Sequence, residues 1–386
     1  MDLISVVITC MAIIGGLLKR NSRVLSFILF ILLWILFAFE RTEVGDGDYE
    51  RYVTHYDNIA LGVPVMLEPL FWLFSIVGNY FKLNFDAARA ILCFVEILLI
   101  YRTIAQFTHS RAFVLALFFI FPAFFDAELF RWFWALSIII SGLPTFITAT
   151  SIKEYIKFAL FILLASAAHS GAMVFLFLLL LIIKSEKKLF IIVGSIVIVG
   201  IITAQTGLLY KIINYLPISN ELADNRYSYY GIGTWRSAVY MGYLLLLSIN
   251  IGYMSIVGRP IKKLPISSEY SMDKVNNHMT IYNNGNILLK SILRLNVISL
   301  CILPISLYTA LGQRLMHLFL FINYIAIAVS CERFKSGNSI RITVTLISTI
   351  CILIWMIFFC SDGTMPVFLS HFKIGYLINF FNLVAG

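Results

Sequence analysis

Residues 66–82 read Met66-Leu67-Glu68-Pro69-Leu70-Phe71-Trp72-Leu73-Phe74-Ser75-Ile76-Val77-Gly78-Asn79-Tyr80-Phe81-Lys82. The stretch is apolar enough to tempt a membrane-span assignment. Whether it crosses decides which side every later loop faces, because one extra span reverses everything downstream. Leu70, Leu73, Phe74, Val77 and Phe81 recur at helical spacing on one face, with Ser75, Asn79 and Lys82 elsewhere. A two-faced helix of this kind lies in the membrane interface rather than across it. Glu68-Pro69 opens it, since proline is favoured at a first helical turn. We therefore read it as an interfacial helix inside an extracytoplasmic loop over residues 40–87.

Outside that stretch the chain is dominated by apolar runs. Of 386 residues, 60% are hydrophobic and 13% charged, against about 25% charged in a soluble domain. Residues 1–386 are read as one multi-span membrane domain, because no polar run is long enough for a separate soluble one. The net charge of +9 is therefore not a nucleic-acid signal. Cys10, Cys93, Cys301, Cys331, Cys351 and Cys360 are scattered, with no zinc spacing and no disulfide framework expected. The start, Met1-Asp2-Leu3-Ile4, lacks the basic region of a cleaved signal peptide, so residues 3–18 are read as a retained first span.

The expected spans are 3–18, 24–39, 88–101, 112–125, 132–149, 156–168, 171–183, 189–204, 237–256, 292–310, 315–330 and 341–359. The predicted fold is all-α, with about twelve transmembrane helices plus the interfacial helix in a GT-C-like architecture. Loop charge orients it. Lys19, Arg20, Arg23, Arg102, Arg111, Lys153, Lys157, Lys184, Lys187, Lys188, Arg333, Lys335 and Arg341 all fall on one side. The loop 257–291 adds Arg259, Lys262, Lys263, Lys274 and Lys290 to that side. With Arg294 this makes 19 of the 29 Lys and Arg, which marks that side as cytoplasmic. Both termini, the acidic stretch from Glu40 to Glu50 and a second long loop, 205–236, then lie outside.

Three lone charged residues sit at ends of apolar runs on the outer side: Arg131, His169 and Arg314. A charge beside the hydrocarbon region is costly and often marks a substrate site. Arginine binds phosphate with a planar fork and stays charged. Arg131 and Arg314 could hold a pyrophosphate whose lipid tail remains in the bilayer, or simply snorkel and anchor their helices. His169, in the turn Ala167-Ala168-His169-Ser170-Gly171, could be a general base towards a sugar hydroxyl, a donor to a phosphate oxygen, or a helix–helix cap. Asp46-Gly47-Asp48 has the form of a metal-binding carboxylate pair, but a solvated acidic loop is its default reading, and no metal is assigned. Asp48, Tyr49 and Tyr52 could bind sugar, with Asp48 a candidate alternative base. Asp126 and Glu128 add carboxylates to the outer face. Arg226, Arg236 and the aromatic run Tyr227–Trp235 in the second outer loop are candidates for guiding substrate. No nucleotide-binding glycine motif is present.

These pieces, in order, resemble the EpsG-like branch of bacterial O-antigen and exopolysaccharide polymerases. The residues that carry the resemblance are Asp48-Tyr49 with Tyr52, Glu68-Pro69-Leu70-Phe71, Arg131-Trp132-Phe133-Trp134-Ala135, His169-Ser170-Gly171-Ala172 and Arg314-Leu315-Met316-His317-Leu318-Phe319. Such proteins often carry Gln after the first arginine, where this chain has Trp132. The resemblance implies a glycosyltransferase without cofactor in the bacterial inner membrane, its active site facing the periplasm. Its substrates would be undecaprenyl-pyrophosphate-linked oligosaccharide repeats, with membrane lipids and a chain-length regulator as partners. The growing chain would leave its pyrophosphate carrier for the terminal sugar of a new repeat. Catalytic roles would fall to Arg131, Arg314, His169 and Asp48, and substrate contacts to Glu68, Glu128, Tyr49, Tyr52, Arg226 and Arg236. An O-antigen ligase-like transferase and a lipid-linked oligosaccharide flippase are the alternatives.

Overall fold

The computed structural model describes residues 3–39, 48–63, 65, 67–206, 233–257, 285–308, 311–333 and 338–359, and every regular element among them is helical. The first half contains α1 (Leu3–Leu18), α2 (Arg23–Phe39), α3 (Asp48–Ala60), α4 (Pro69–Tyr80), α5 (Phe85–Phe107), α6 (Arg111–Ile120), α7 (Ala123–Glu128), α8 (Phe130–Ile147) and α9 (Ile152–Ser166). A 3-10 helix, Ser170–Ile182, follows, then α10 (Glu186–Gln205), α11 (Gly233–Val257), α12 (Gly285–Ile298), a short 3-10 turn Ser299–Ile302, α13 (Leu303–Tyr308), α14 (Leu311–Arg333) and α15 (Asn338–Phe359). Among the described residues, four segments are long and apolar enough to cross a membrane: Phe85–Phe107, Phe130–Ile147, Leu288–Ser306 and Arg314–Glu332. The other apolar runs also lie on helix, among them Glu186–Gln205, Gly233–Val257 and Asn338–Phe359. The run 112–125 is two helices, α6 and α7, because Pro122 has no backbone N–H with which to continue the first.

Local chemistry sets several helix starts. Asn84 accepts from the Ala87 backbone N–H at 2.9 Å and caps α5. Ser151 and Glu154 form a capping box at α9, where Glu154 also accepts from the Thr150 N–H. Gly312 opens α14 so close to the preceding turn that an added Cβ would meet Ser306 Oγ at 2.1 Å. Only a residue without a side chain permits that approach.

The bundle has two polar ends. Helix α14 is buried along nearly its whole length and carries Arg314 in its first turn and Glu332 in its last. At 1.5 Å per residue these lie about 27 Å apart, close to the thickness of a bilayer's hydrocarbon core. At the Glu332 end, its Oε1 accepts from Thr108 Oγ1, Ser110 Oγ and the Ser110 N–H, each at 2.7 Å. Arg341 donates to Ser330 at 3.1 Å nearby. These residues adjoin the basic connections that orient the chain.

Helices α2 and α5 run antiparallel. Ser26 lies 3.4 Å from the Tyr101 hydroxyl near the Glu332 end. Trp34 Nε1 donates to the Ala90 carbonyl at 2.8 Å, and Cys93 Sγ to the Phe37 carbonyl, towards the other end. The chain thus leaves α2 and re-enters α5 at one and the same end, with α3 and α4 between them. Helix α4 turns Phe71, Ser75 and Gly78 inward and a broad apolar face outward. Ser75 is fully buried and donates to the Phe71 carbonyl, and Asn79 Nδ2 donates to the carbonyls of Ser75 and Tyr56. Trp72, Leu73, Ile76, Val77, Tyr80 and Phe81 are exposed. Gly78 admits the Tyr56 ring, whose hydroxyl donates to the Leu83 carbonyl at 2.8 Å.

Candidate functional site at the joint of three helix starts

The chain after α9 does not run straight on. It turns at Ala167–His169 and restarts as the 3-10 helix at Ser170. The Leu70 backbone N–H donates to the Ala167 carbonyl at 2.9 Å, so the start of α4 is tied to this joint. That bond places Glu68, the residue preceding Pro69, directly against it. One oxygen of Glu68, Oε1, accepts from the Ser170 backbone N–H at 3.1 Å, and the other, Oε2, accepts from Arg131 Nη1 in a buried ion pair. Arg131 is the second residue of α8, and its guanidinium also lies over the Tyr52 ring at 5.3 Å from the centroid. Tyr52 in turn packs on Phe71 and Phe130.

His169 caps the restarting helix. Its Nδ1 accepts from the Gly171 backbone N–H at 3.1 Å. The ring is almost fully buried and meets the Trp132 ring edge-on at 5.2 Å. Trp132, which stands where similar proteins often carry Gln, is thereby a packing residue of the joint, with Phe175 on its other side. The charges of Arg131, Glu68 and Arg314 all act on the His169 imidazole. The two arginines that stand 183 positions apart (131 and 314) thus share one electrostatic neighbourhood with His169.

Both arginines occupy first turns, of α8 and of α14. A helix start carries about half a positive charge from unpaired N–H groups. Adding a guanidinium to such an end is unfavourable without an anion, and Glu68 is the anion present. Two arginines, two helix starts and the Ser170 N–H that Glu68 now occupies make a ready anion site.

Beside the joint lies a pair that the sequence reading did not connect. His317, one turn beyond Arg314, meets Asp126 of α7, Nδ1 to Oδ1, at 2.6 Å. Both are buried, and the second Asp126 oxygen, Oδ2, is buried without a hydrogen-bond partner among the described residues. The pair fastens the start of α14 to the element that leads into Arg131. A third arginine, Arg89 of α5, donates to the Ala127 carbonyl at 3.1 Å and lies over the rings of Tyr49 and Phe130. The i to i+3 spacing from Arg314 to His317 was the available signal for the first. Arg89 had none, because an arginine at the start of an apolar run resembles a snorkelling anchor.

On α3, the Tyr49 hydroxyl donates to Asp86 at 2.6 Å. His55, three residues after Tyr52, is partly buried. Burial foremost, and then the charges of Arg51 and Arg131, hold its pKa below the ordinary 6.5. Glu128 closes α7 three residues before Arg131 and is partly buried. Asp48 begins α3 and Arg236 lies in the first turn of α11, but their side chains, like Arg226, Asp46 and residues 227–232 altogether, lie outside the described residues.

The chain belongs to the EpsG family, whose model matches residues 23–369. That membership points to a polysaccharide polymerase-like role of the glycosyltransferase kind, and together with the apolar helices to a membrane protein. No curated protein and no solved structure matches the chain.

Proposed function

We propose that this protein is an O-antigen or exopolysaccharide polymerase that joins undecaprenyl-pyrophosphate-linked repeats on the periplasmic face of the inner membrane. Its twelve apolar runs would then be twelve spans in a GT-C-like arrangement, with the cytoplasmic side at the Glu332 end. The observation that carries the reading is that the charges of Arg131 and Arg314 both bear on His169, at the bundle end opposite Glu332. Arg131 and Arg314 hold the donor pyrophosphate and stabilise the charge that grows on it as it leaves. The helix starts of α8 and α14 add to that field. Glu68 now occupies donors that suit a phosphate oxygen, Arg131 Nη1 and the Ser170 N–H. A bound pyrophosphate shares or takes over these donors. His169 accepts at Nδ1, so its neutral ring carries the proton on Nε2 and offers a donor to phosphate.

The test is the surface glycan of a deletion strain complemented with wild type, Arg131→Ala or Arg314→Ala at equal protein level. Wild type should restore the long-chain ladder, while either variant leaves single repeats attached. A normal ladder from both variants overturns the reading. Loss of every repeat, single ones included, points to the flippase or ligase alternatives instead.

A further inference from the structure

A transfer to a sugar hydroxyl needs a group that takes the hydroxyl proton, and the geometry of His169 speaks against it. A ring whose Nδ1 already accepts a backbone N–H bears its proton on Nε2, and such a ring donates. Its burial and the Trp132 ring against it leave little room for an acceptor sugar. Asp126 and His317 are each other's partners deep in the bundle. The described histidine beside the arginines with an exposed edge is His55.

From this placement we infer that His55 is the proton acceptor of the transfer reaction, the residue that receives the proton of the attacking sugar hydroxyl. The inference rests on the polymerase reading above. In the step, the hydroxyl oxygen bonds to the anomeric carbon of the growing chain. The bond from that carbon to the pyrophosphate oxygen breaks, and the lipid pyrophosphate leaves with the electron pair. The hydroxyl proton passes to His55 Nε2. Three observations carry the assignment. First, His55 stands one turn from Tyr52 on the same face of α3, and Tyr52 lies under the Arg131 guanidinium. Second, Nδ1 is shielded and has no hydrogen-bond partner among the described residues, while the ring remains partly exposed, which leaves Nε2 as the reachable atom. Third, the charge of Arg131 acts on the imidazole, so a pyrophosphate held by that arginine acts on it as well.

The charged groups around His55 are Arg51 on its own helix, the Arg131–Glu68 pair where α8 meets α4, and Asp86 and Arg89 on the first turns of α5, which hold Tyr49. The two whose charges act on the imidazole, Arg51 and Arg131, are cationic and hold its pKa down, so His55 stays neutral until an anion binds. Binding of a pyrophosphate offsets that field and makes the imidazole a stronger base when the acceptor is in place.

The experiment replaces His55 by Gln and, separately, by Asn in the producing strain. Membranes from each strain, with their endogenous lipid-linked repeat as substrate, are assayed for polymer between pH 5 and 8. Loss of a positioned general base lowers the rate by about 10²–10⁴-fold. Both variants should lose the ladder to that extent and accumulate lipid-linked single repeats at unchanged protein level. The wild-type rate should fall as pH drops below 6.5, and the residual rate of the variants should lack that limb. A ladder within a few-fold of wild type, or an acid limb retained in His55→Gln, overturns the assignment. If the deletion strain itself keeps its ladder, the polymerase reading fails, which is a distinguishable result.

Discussion

Replacing Arg131 by Met and Glu68 by Gln, singly and together, separates what this pair does for stability from what it does for function. The side chains of Arg131 and Glu68 are 10% and 12% exposed, so water can solvate neither charge if its partner is removed. Breaking such a buried pair from one side costs about 3–5 kcal/mol. Arg131→Met falls in that range, because it leaves the Glu68 carboxylate with the Ser170 N–H as its remaining described donor. Glu68→Gln falls at the lower end. The amide still accepts one hydrogen bond, and the guanidinium keeps the Tyr52 ring, a contact worth about 0.5–2 kcal/mol. The double variant has no stranded charge, so its loss should be smaller than the sum of the single losses by about 2–3 kcal/mol, the upper part of the range for contacting residues. Equilibrium unfolding of the purified chain in mixed micelles measures the stabilities, and the glycan ladder measures function. The double variant should regain stability yet make no long chains, because the cation for pyrophosphate is gone. Additive losses would show that the two charges do not support each other. A restored ladder in the double variant would refute the role of Arg131.

Gly78→Ala places a methyl 2.1 Å from the Tyr56 hydroxyl, forcing α4 off α3 and straining the bond to Leu83. Overpacking of this kind costs about 1–3 kcal/mol, read as a lower unfolding midpoint, and an unchanged midpoint would mean that α4 is not seated there. Asp126→Asn and His317→Gln should each weaken the chain, and their double variant should lose less than the sum, since each single change disrupts the same 2.6 Å contact. Full additivity by the same unfolding assay would refute the coupling. For His55 the folded-state pKa lies below that of the unfolded chain. The unfolded state therefore binds the proton first as pH falls below about 6.5, and stability drops through that window. The midpoint of wild type should fall more between pH 7.5 and 5 than that of His55→Gln. Parallel curves would contradict the depressed pKa.

Much of the helix layout was legible because membrane spans are written as long apolar runs with polar punctuation. Among the described residues the twelve runs lie largely on helix, and Arg111 and Arg341 lie beside the end that carries Glu332. What composition does not encode is where a helix breaks in space. The run 112–125 reads as one span, yet Pro122 splits it and swings Asp126 towards His317, which is 191 residues away. The run 171–183 reads as a span of its own, and its start as a 3-10 helix puts the Ser170 and Gly171 N–H groups at the joint, on Glu68 and His169. Arg131, His169 and Arg314 could each be singled out as costly charges, and Glu68 only as the charge beside a helix-opening proline. Their partners could not, because the bond from Leu70 to Ala167 that sets Glu68 against Arg131 joins two backbones and leaves no trace in residue type. Tyr49 likewise gave no sign that its hydroxyl would donate to Asp86, 37 positions away.

The charge at the joint argues for the kind of anion it receives. Arg131 and Arg314 contribute two positive charges, and Glu68 removes one while it occupies the Arg131 fork. The starts of α8 and α14 add about half a charge each, so the joint carries about two positive charges in this state. A carboxylate or a single phosphodiester would leave that field partly uncompensated. A pyrophosphate diester, with its two negative charges, balances it while Glu68 stays ionised and still paired. Charge balance therefore does not require Glu68 to be expelled, only to share Arg131. Glu68→Gln tests this directly. Removing the negative charge should tighten binding of inorganic pyrophosphate to the purified chain in micelles, because one more positive charge faces it. Weaker binding in Glu68→Gln would mean that Glu68 contacts the ligand chiefly as a structural clamp on Arg131 and Ser170, and that the electrostatic balance is set elsewhere.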